Sequence, residues 1–138
     1  MILLDTNVIS EAMKPEPDTN VLQWLKAQMA ENLYLSSVTI AELAFGIAVL
    51  PTGKRKELLF QALEGVMDLF ANRILSFDVK AAQEYGQLAM KSRQQGLGFP
   101  MQDGYIAAIA QAHHFIVATR HPTAFKAAHL TVINPWKA

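Results

Sequence analysis

Short apolar runs alternate along the chain with longer segments in which apolar residues recur every three or four positions. Uninterrupted apolar runs are typical of parallel strands with both faces buried, and they predict strands at 2–4, 33–35, 74–75, 115–118 and, as a candidate fifth, 130–133. The helical spacing predicts helices at 8–13, 18–30, 38–49, 54–70, 78–95 and 101–112, with a loop at 96–100. This alternation predicts a three-layer α/β/α sandwich with a mostly parallel central sheet.

Length and composition restrict the domain count and the class of protein. The 138 residues, of which 51% are hydrophobic, are enough for one core, so we expect a single domain over 1–138. Cysteine is absent, which excludes disulfide frameworks, thiolate-bound zinc, iron–sulfur clusters and thiol catalysis. We see neither a signal peptide nor an apolar run of about 18 residues, so we expect a cytoplasmic protein that does not enter a membrane.

The charges cancel over the whole chain but not within its two halves. The 12 Lys and Arg residues balance the 12 Asp and Glu residues, so the chain lacks the basic excess of a general polyanion binder. Residues 1–69 hold nine acids and five bases (net −4), whereas residues 70–138 hold three acids and seven bases (net +4). One half of the chain is therefore suited to face phosphate groups.

Three acids stand where an acid is unexpected. Asp5 directly follows the first strand, at the carboxyl end where open α/β sheets bind their ligands. Glu42 lies four residues after Val38 and three before Phe45, and Asp103 precedes apolar residues by three, four and seven positions. Helical geometry therefore predicts that Glu42 and Asp103 lie on inward, apolar faces.

Each of these acids also has a purely structural interpretation. Asp5 would cap a helix that begins at Thr6, Glu42 would extend along its apolar stripe to solvent, and Asp103 would be stabilised in the first turn by the helix dipole. The three together favour a shared site, because strand ends and inward helix faces converge in an α/β fold. Two carboxylates about 4 Å apart repel by about 4 kcal/mol at an effective dielectric constant of 20. A proton, a basic side chain or a hard divalent cation must neutralise them, and oxygen-only ligands suit Mg²⁺ or Mn²⁺.

Five blocks of sequence occur in a recognisable order along the chain. They are ILLDTNVIS (2–10), SVTIAEL (37–43), DGYIAAIA (103–110), VATR (117–120) and INPW (133–136). Together they resemble the PIN-domain ribonucleases of the VapC type, in particular the FitB-like branch. The resemblance implies a Mg²⁺- or Mn²⁺-dependent endoribonuclease that is the toxin of a type II toxin–antitoxin pair. It also implies a homodimer that a small antitoxin inhibits by binding across the active site.

The resemblance also implies roles for single residues. Asp5 and Asp103 correspond to acids that bind the metal directly, and Glu42 to an acid that binds it or its water. In the hydrolysis that this implies, the metal lowers the pKa of that water and stabilises charge on the phosphate. Asn7 and Thr119 resemble polar residues that orient the first acid and its waters; the alternatives are a turn residue and a strand-end hydroxyl.

The acid that the family usually has just after the fourth strand is missing. The segment at this place is Thr119-Arg120-His121-Pro122-Thr123-Ala124-Phe125, which contains no carboxylate. His121 either takes its place, as a water-mediated metal contact or a weaker base, or is a loop residue without a role. Near the carboxyl terminus, Trp136 is expected to anchor the last strand rather than to stack on a base.

Two other function classes compete with the ribonuclease interpretation. A phosphotransferase of the haloacid-dehalogenase type also has an Asp after its first strand, but it needs a second acid where this chain has Asn7. A PIN-like domain that binds RNA or a partner without cutting would be consistent with the missing fourth acid. The presence of Asp5, Glu42 and Asp103 argues against that alternative, and an RNA cleavage assay separates the two.

Overall fold

A five-stranded parallel sheet forms the centre of the fold. The computed structural model describes residues 1–96 and 98–138, so Leu97, within the predicted loop 96–100, lies outside the described residues. The strands pair in the order β3-β2-β1-β4-β5, and every pair is parallel. They are β1 (Ile2–Leu4), β2 (Leu33–Ser36), β3 (Ile74–Leu75), β4 (Ile116–Ala118) and β5 (Val132–Ile133). The predicted parallel sheet, including its candidate fifth strand, is confirmed.

Seven α-helices in the described residues flank this sheet. They are α1 (Thr6–Ala12), α2 (Thr19–Ala27), α3 (Ser37–Ala48), α4 (Lys54–Leu69), α5 (Val79–Gln94), α6 (Met101–His113) and α7 (Pro122–Ala127). The first six match the predicted helices with ends displaced by at most three residues. The prediction missed α7, although Pro122 at its first position is a known signal for a helix start. None of the described helices is long and apolar enough to cross a membrane.

Alternate side chains of β1 divide the core into two layers. Leu3 packs in the cluster formed with α5, α6 and α7, whereas Ile2 and Leu4 pack in the cluster formed with α1, α2, α3 and α4. Helices therefore cover both faces of the sheet, which confirms the three-layer α/β/α sandwich. A Cβ at Gly104 would lie 2.7 Å from Cε1 of Tyr85, so only glycine permits the close approach of α6 to α5. This packing positions the first turn of α6, where Asp103 lies.

The direction of the strand order changes at β1. The chain proceeds from β1 to β2 and β3 on one side, and then continues on the other side with β4 and β5. The switch point lies between β1 and β4, and Asp5 and Thr119 directly follow the carboxyl ends of these two strands. Ligands of open parallel sheets bind in the crevice at such a point.

The inward face predicted for α3 is wrong. Its buried residues are Thr39, Leu43 and Ile47, while Phe45, which the prediction placed on that face beside Glu42, is 71% exposed. Apolar residues occur on nearly every side of α3, so their spacing does not identify the side that packs on the sheet. Glu42 is half-buried, at the edge of the inward face.

Candidate active site

Asp5 is a buried carboxylate whose two oxygens are both engaged. It is 3% exposed. Its Oδ1 accepts a hydrogen bond from the backbone N–H of Thr6 (2.8 Å), and its Oδ2 accepts from Thr119 Oγ1 (2.7 Å) and Asn7 Nδ2 (3.1 Å). The capping interpretation of Asp5 is therefore confirmed, since it is the N-cap of α1. The same side chain also lies at the switch point of the sheet.

Asn7 and Thr119 connect Asp5 to the loop that follows β4. The Nδ2 of Asn7 lies 3.3 Å from Thr119 Oγ1, and its Oδ1 accepts from the backbone N–H of Arg120 at 3.1 Å. The fully buried Thr119 hydroxyl accepts from the backbone N–H of His121 at 3.1 Å. The two side chains therefore orient both the carboxylate of Asp5 and the backbone of residues 119–121.

A chain of three hydroxyl groups leads to Glu42. The Oγ1 of Thr6 donates to Glu42 Oε1 at 2.7 Å and lies 2.9 Å from Thr39 Oγ1, to which Ser36 Oγ donates at 3.3 Å. Because Thr6 follows Asp5, this chain brings Glu42 close to the first acid. Sequence reasoning missed these hydroxyls; the available signal was that all three lie within three residues of the end of a strand.

Asp103 lies in the electrostatic field of the other two acids. The pKa of Asp103 is raised to about 6, chiefly by burial, with the negative charges of Asp5 and Glu42 adding to the rise and His121 opposing it. Burial also raises the pKa of Asp5, against the lowering effect of its hydrogen bonds to Thr119, Thr6 and Asn7. The structure therefore brings the three predicted acids into one electrostatic environment.

A cavity of about 370 Å³ lies between the start of α6 and the loop that follows β4. Its lining consists of Asp103, His121, Gly98, Pro100, Thr123 and Ala124. The cavity therefore has a carboxylate and an imidazole in its wall. His121 thus lies beside the acids, where its charge acts on both Asp5 and Asp103.

The oxygen atoms at this point fit a hard divalent cation. Within residues 1–96 and 98–138, no three carboxylate or imidazole side chains are grouped closely enough to hold a metal ion by themselves. Mg²⁺, however, binds through one or two carboxylates and retains several waters. Asp5 and Asp103 supply two carboxylates, and Glu42 lies close enough to add its charge. The raised pKa values mark the negative charge that a cation would neutralise.

An apolar groove of about 760 Å³ extends from the acids across the molecule between α1, α3 and α4. Thr6 and Glu42 line the end next to the acids, and Lys54 and Arg55 lie at the start of α4. Leu58, also in its lining, is 54% exposed. The groove therefore joins an uncovered apolar surface to the acidic site.

The stability of the fold is expected to depend on the protonation of Asp103. Folding raises the pKa of this group from 3.8 to about 6, so the native state binds the proton more tightly than the unfolded chain does. The contribution of Asp103 to the free energy of unfolding therefore falls as the pH rises from 3.8 through about 6. Asp103→Asn removes this loss and should be more stable than the wild type by on the order of 1 kcal/mol above that range, since solvent screens the half-buried carboxyl.

Urea denaturation of both proteins at about pH 5 and about pH 7.5 measures this difference. We expect a larger advantage of Asp103→Asn at the higher pH. If the advantage of Asp103→Asn is equal at both pH values, or if the variant is less stable than the wild type at the higher pH, the raised pKa of Asp103 is contradicted.

The family model of the PIN domain matches residues 2–128 of the chain. The chain belongs to the PIN domain family. This membership confirms the family predicted from the five sequence blocks. It also removes the haloacid-dehalogenase alternative, since the match covers residues 2–128 with a different family. Asn7, at the position where that class needs a second acid, donates to Asp5.

Curated relatives and a solved structure cover nearly the whole of this PIN domain. The VapC ribonuclease Y4jK of Sinorhizobium fredii is 51% identical over 138 residues, with 99% of each chain covered. Toxin FitB of Neisseria gonorrhoeae is 47% identical over 137 residues, also with 99% of each chain covered. The crystal structure of FitAcB from Neisseria gonorrhoeae superposes with a TM-score of 0.94 at 46% identity, covering 100% of both chains.

Proposed function

We propose that the chain is a Mg²⁺- or Mn²⁺-dependent endoribonuclease and the toxin of a type II toxin–antitoxin pair. The observation that carries the proposal is the placement of Asp5, Glu42 and Asp103 at the switch point of a PIN fold, with the pKa values of Asp5 and Asp103 raised. The names of the relatives, VapC ribonuclease and Toxin FitB, support the same reaction and the same biological role.

The proposed reaction is hydrolysis of an RNA phosphodiester by water. A bound Mg²⁺ or Mn²⁺ would supply a water of lowered pKa and stabilise charge on the phosphate. Asp5 and Asp103 would hold the ion, and Glu42 would hold it or orient a water. Thr119 and Asn7 hold Oδ2 of Asp5 through their hydrogen bonds, and the backbone N–H of Thr6 holds Oδ1. The hydroxyl of Thr6 holds Oε1 of Glu42. These bonds fix Asp5 and Glu42 before substrate arrives.

We propose that His121 takes the place of a fourth acid. A site with one negative ligand fewer should bind its metal ion more weakly. Because the number of charged ligands is a main determinant of affinity for hard cations, His121→Asp should lower the metal concentration that gives half-maximal cleavage, by about tenfold. His114→Asp is the matched control, since this residue is exposed at the end of α6 in a left-handed conformation that Asp tolerates. Metal titrations of the cleavage rate measure the shift; an unchanged or higher half-maximal concentration in His121→Asp would show that His121 does not stand in for an acid.

A small antitoxin is the proposed partner of the apolar groove. An amphipathic segment would lie against the groove, and a basic side chain of that segment would reach the acids at the end lined by Thr6 and Glu42. Such a segment would exclude metal and RNA together.

The chain is further proposed to act in the cytoplasm as a homodimer that joins the antitoxin in a hetero-oligomer. Exposed apolar side chains such as Phe45 (71% exposed) and Val49 (63% exposed) are available for these contacts.

Expression of the chain in bacteria tests the toxin role. The wild type should arrest growth and produce new RNA ends in the cells, whereas Glu42→Gln should do neither. Co-expression of the antitoxin from the neighbouring reading frame should restore growth. A wild type that is harmless at high expression but cuts RNA in vitro would contradict the toxin role alone; a wild type that binds RNA without cutting it would favour the non-enzymatic PIN-like alternative.

The groove is tested by changing one exposed side chain in it. Leu58→Asp should remain toxic while the antitoxin no longer rescues growth, because a carboxylate in the apolar lining opposes docking. Val79→Asp, on α5 and 76% exposed, is the control that should still be rescued. Rescue of both variants would place the antitoxin elsewhere.

A further inference from the structure

Arg120 is an exposed cation that directly follows Thr119, the residue that donates to Asp5. Its guanidinium carbon lies 5.1 Å from the centroid of the Trp136 ring. Its backbone N–H donates to Asn7 Oδ1 at 3.1 Å, and the Nδ2 of the same Asn7 donates to Asp5 at 3.1 Å. The backbone of Arg120 is therefore positioned relative to Asp5, and its side chain is positioned by the indole.

The indole that carries Arg120 is itself fixed in the fold. Trp136 packs against the core cluster on the α1 to α4 side of the sheet. Its backbone N–H donates to Asn134 Oδ1 at 3.0 Å, and its carbonyl oxygen accepts from Asn20 Nδ2 at 3.0 Å. A guanidinium that stacks on a fixed ring leaves its N–H edges available and loses less freedom when it binds a ligand.

Arg120 forms no ion pair with a carboxylate in the described part of the chain. The ion pair found there joins Lys14 and Glu11. After larger effects of Lys14 and Asp18, the charge of Arg120 contributes to the lowered pKa of Glu11. The Oε1 of Glu11 accepts from Lys14 Nζ and its Oε2 from the backbone N–H of Asp18, both at 2.9 Å. Both oxygens are thus engaged elsewhere. The donors of Arg120 are therefore available to an external anion.

We infer that Arg120, stacked on Trp136, binds a phosphate group of the RNA next to the bond that is cut. Clustered carboxylates repel a polyanion, so an unpaired cation in the loop that borders them favours binding of the RNA backbone there. The planar guanidinium matches phosphate in a bidentate geometry, which a lysine ammonium does not reproduce. Trp136 acts as a positioning residue for Arg120 rather than as a surface on which a base stacks. This inference rests on the proposed ribonuclease function.

Binding of a labelled RNA in EDTA tests the inference without cleavage. The probe is a fluorescein-labelled single-stranded RNA of mixed sequence, and the variants are Arg120→Ala, Arg120→Lys and the control Arg93→Ala, an exposed arginine near the end of α5. Arg120→Ala should weaken binding about tenfold and reduce the slope of log K against log salt by about 0.7, the value for one phosphate contact on a single strand. Arg120→Lys should bind between the two, and Arg93→Ala should bind within about twofold of the wild type.

Two binding results would overturn the inference. One is wild-type affinity in Arg120→Ala, and the other is an equal loss in Arg93→Ala, which would indicate general charge attraction. Wild-type RNA binding by Arg120→Ala together with failure to form the antitoxin complex would assign the side chain to a protein contact instead, and also overturns it. Thermal unfolding of each variant verifies that the chain is folded, and Arg120→Lys keeps the test valid if Arg120→Ala unfolds.

Cleavage kinetics separate this inference from the ribonuclease proposal. In the presence of Mg²⁺ or Mn²⁺, Arg120→Ala should raise KM by about tenfold while kcat changes by less than about threefold, because the contact acts on binding. Trp136→Phe should shift KM in the same direction by a smaller factor. If the wild type binds RNA through Arg120 but cuts nothing, the ribonuclease proposal fails and the phosphate contact remains; if the wild type cuts and Arg120→Ala has the same KM, only the contact fails.

Discussion

Asp103→Asn is expected to lower the rate of RNA cleavage by at least about a hundredfold while the chain remains folded. The amide has nearly the shape of the carboxyl but carries no charge, so it removes one of the two carboxylates proposed to hold the cation. The pKa of Asp103 is raised to about 6 chiefly by burial and further by the negative charges of Asp5 and Glu42, so the amide also removes an unfavourable charge. Activity and stability should therefore move in opposite directions. Initial rates on a defined RNA at saturating metal, with urea denaturation in parallel, measure both effects.

Asp68→Asn is the matched control for this experiment. It makes the same chemical change at an exposed position in the last turn of α4, outside the acid cluster, and should cut at the wild-type rate. An Asp103→Asn variant with wild-type activity would remove this acid from the site. A variant that loses activity because it unfolds would contradict the proposed origin of the raised pKa.

Thr119→Val is expected to cost both stability and activity. Valine keeps the shape of this fully buried side chain but removes the hydroxyl that donates to Asp5 Oδ2 and accepts from the backbone N–H of His121. Leaving buried polar groups without this partner should lower the free energy of unfolding by about 1–3 kcal/mol. It also removes the largest of the effects that lower the pKa of Asp5, and cleavage should fall by about 10- to 100-fold.

Thr119→Ser separates the hydroxyl from the rest of the side chain. The serine keeps the donor and acceptor, so it should retain cleavage within a few-fold of the wild type, although the lost methyl group costs about 1 kcal/mol of stability. Urea denaturation in EDTA measures stability without bound metal. Equal activity of the valine and serine variants would show that the hydrogen bond to Asp5 does not contribute to the site.

Much of the fold follows from local patterns. The strand at Ile2–Leu4 is an uninterrupted apolar run, and Asp18 and Asp78 are caps whose side chains accept backbone hydrogen bonds at the start of α2 and α5. Asp5 is predictable as a candidate site residue in the same way, because it is an acid directly after a buried strand. Such features depend only on neighbours in the chain, so the sequence alone is enough to find them.

Features that depend on packing between distant segments were not predictable in the same way. The side of α3 that meets the sheet is decided by its neighbours, because the helix is apolar all round, and Phe45 was therefore placed on the wrong face. The hydroxyl chain from Ser36 to Glu42 joins residues from two strand ends. Trp136 does pack on the core, but its contact with Arg120 appears only once β4 and the carboxyl-terminal turn are side by side.

Restoration of cleavage by added metal is the decisive test of a metal-dependent reaction at these acids. Purified wild-type chain and Asp5→Asn are stripped with EDTA, and Mg²⁺ or Mn²⁺ is then added in excess to each with a labelled RNA. We expect no cleavage by either protein in EDTA, full recovery by the wild type on metal addition, and no recovery by Asp5→Asn. Cleavage by the wild type in EDTA, or equal recovery by Asp5→Asn, would contradict a metal-dependent ribonuclease built on these acids.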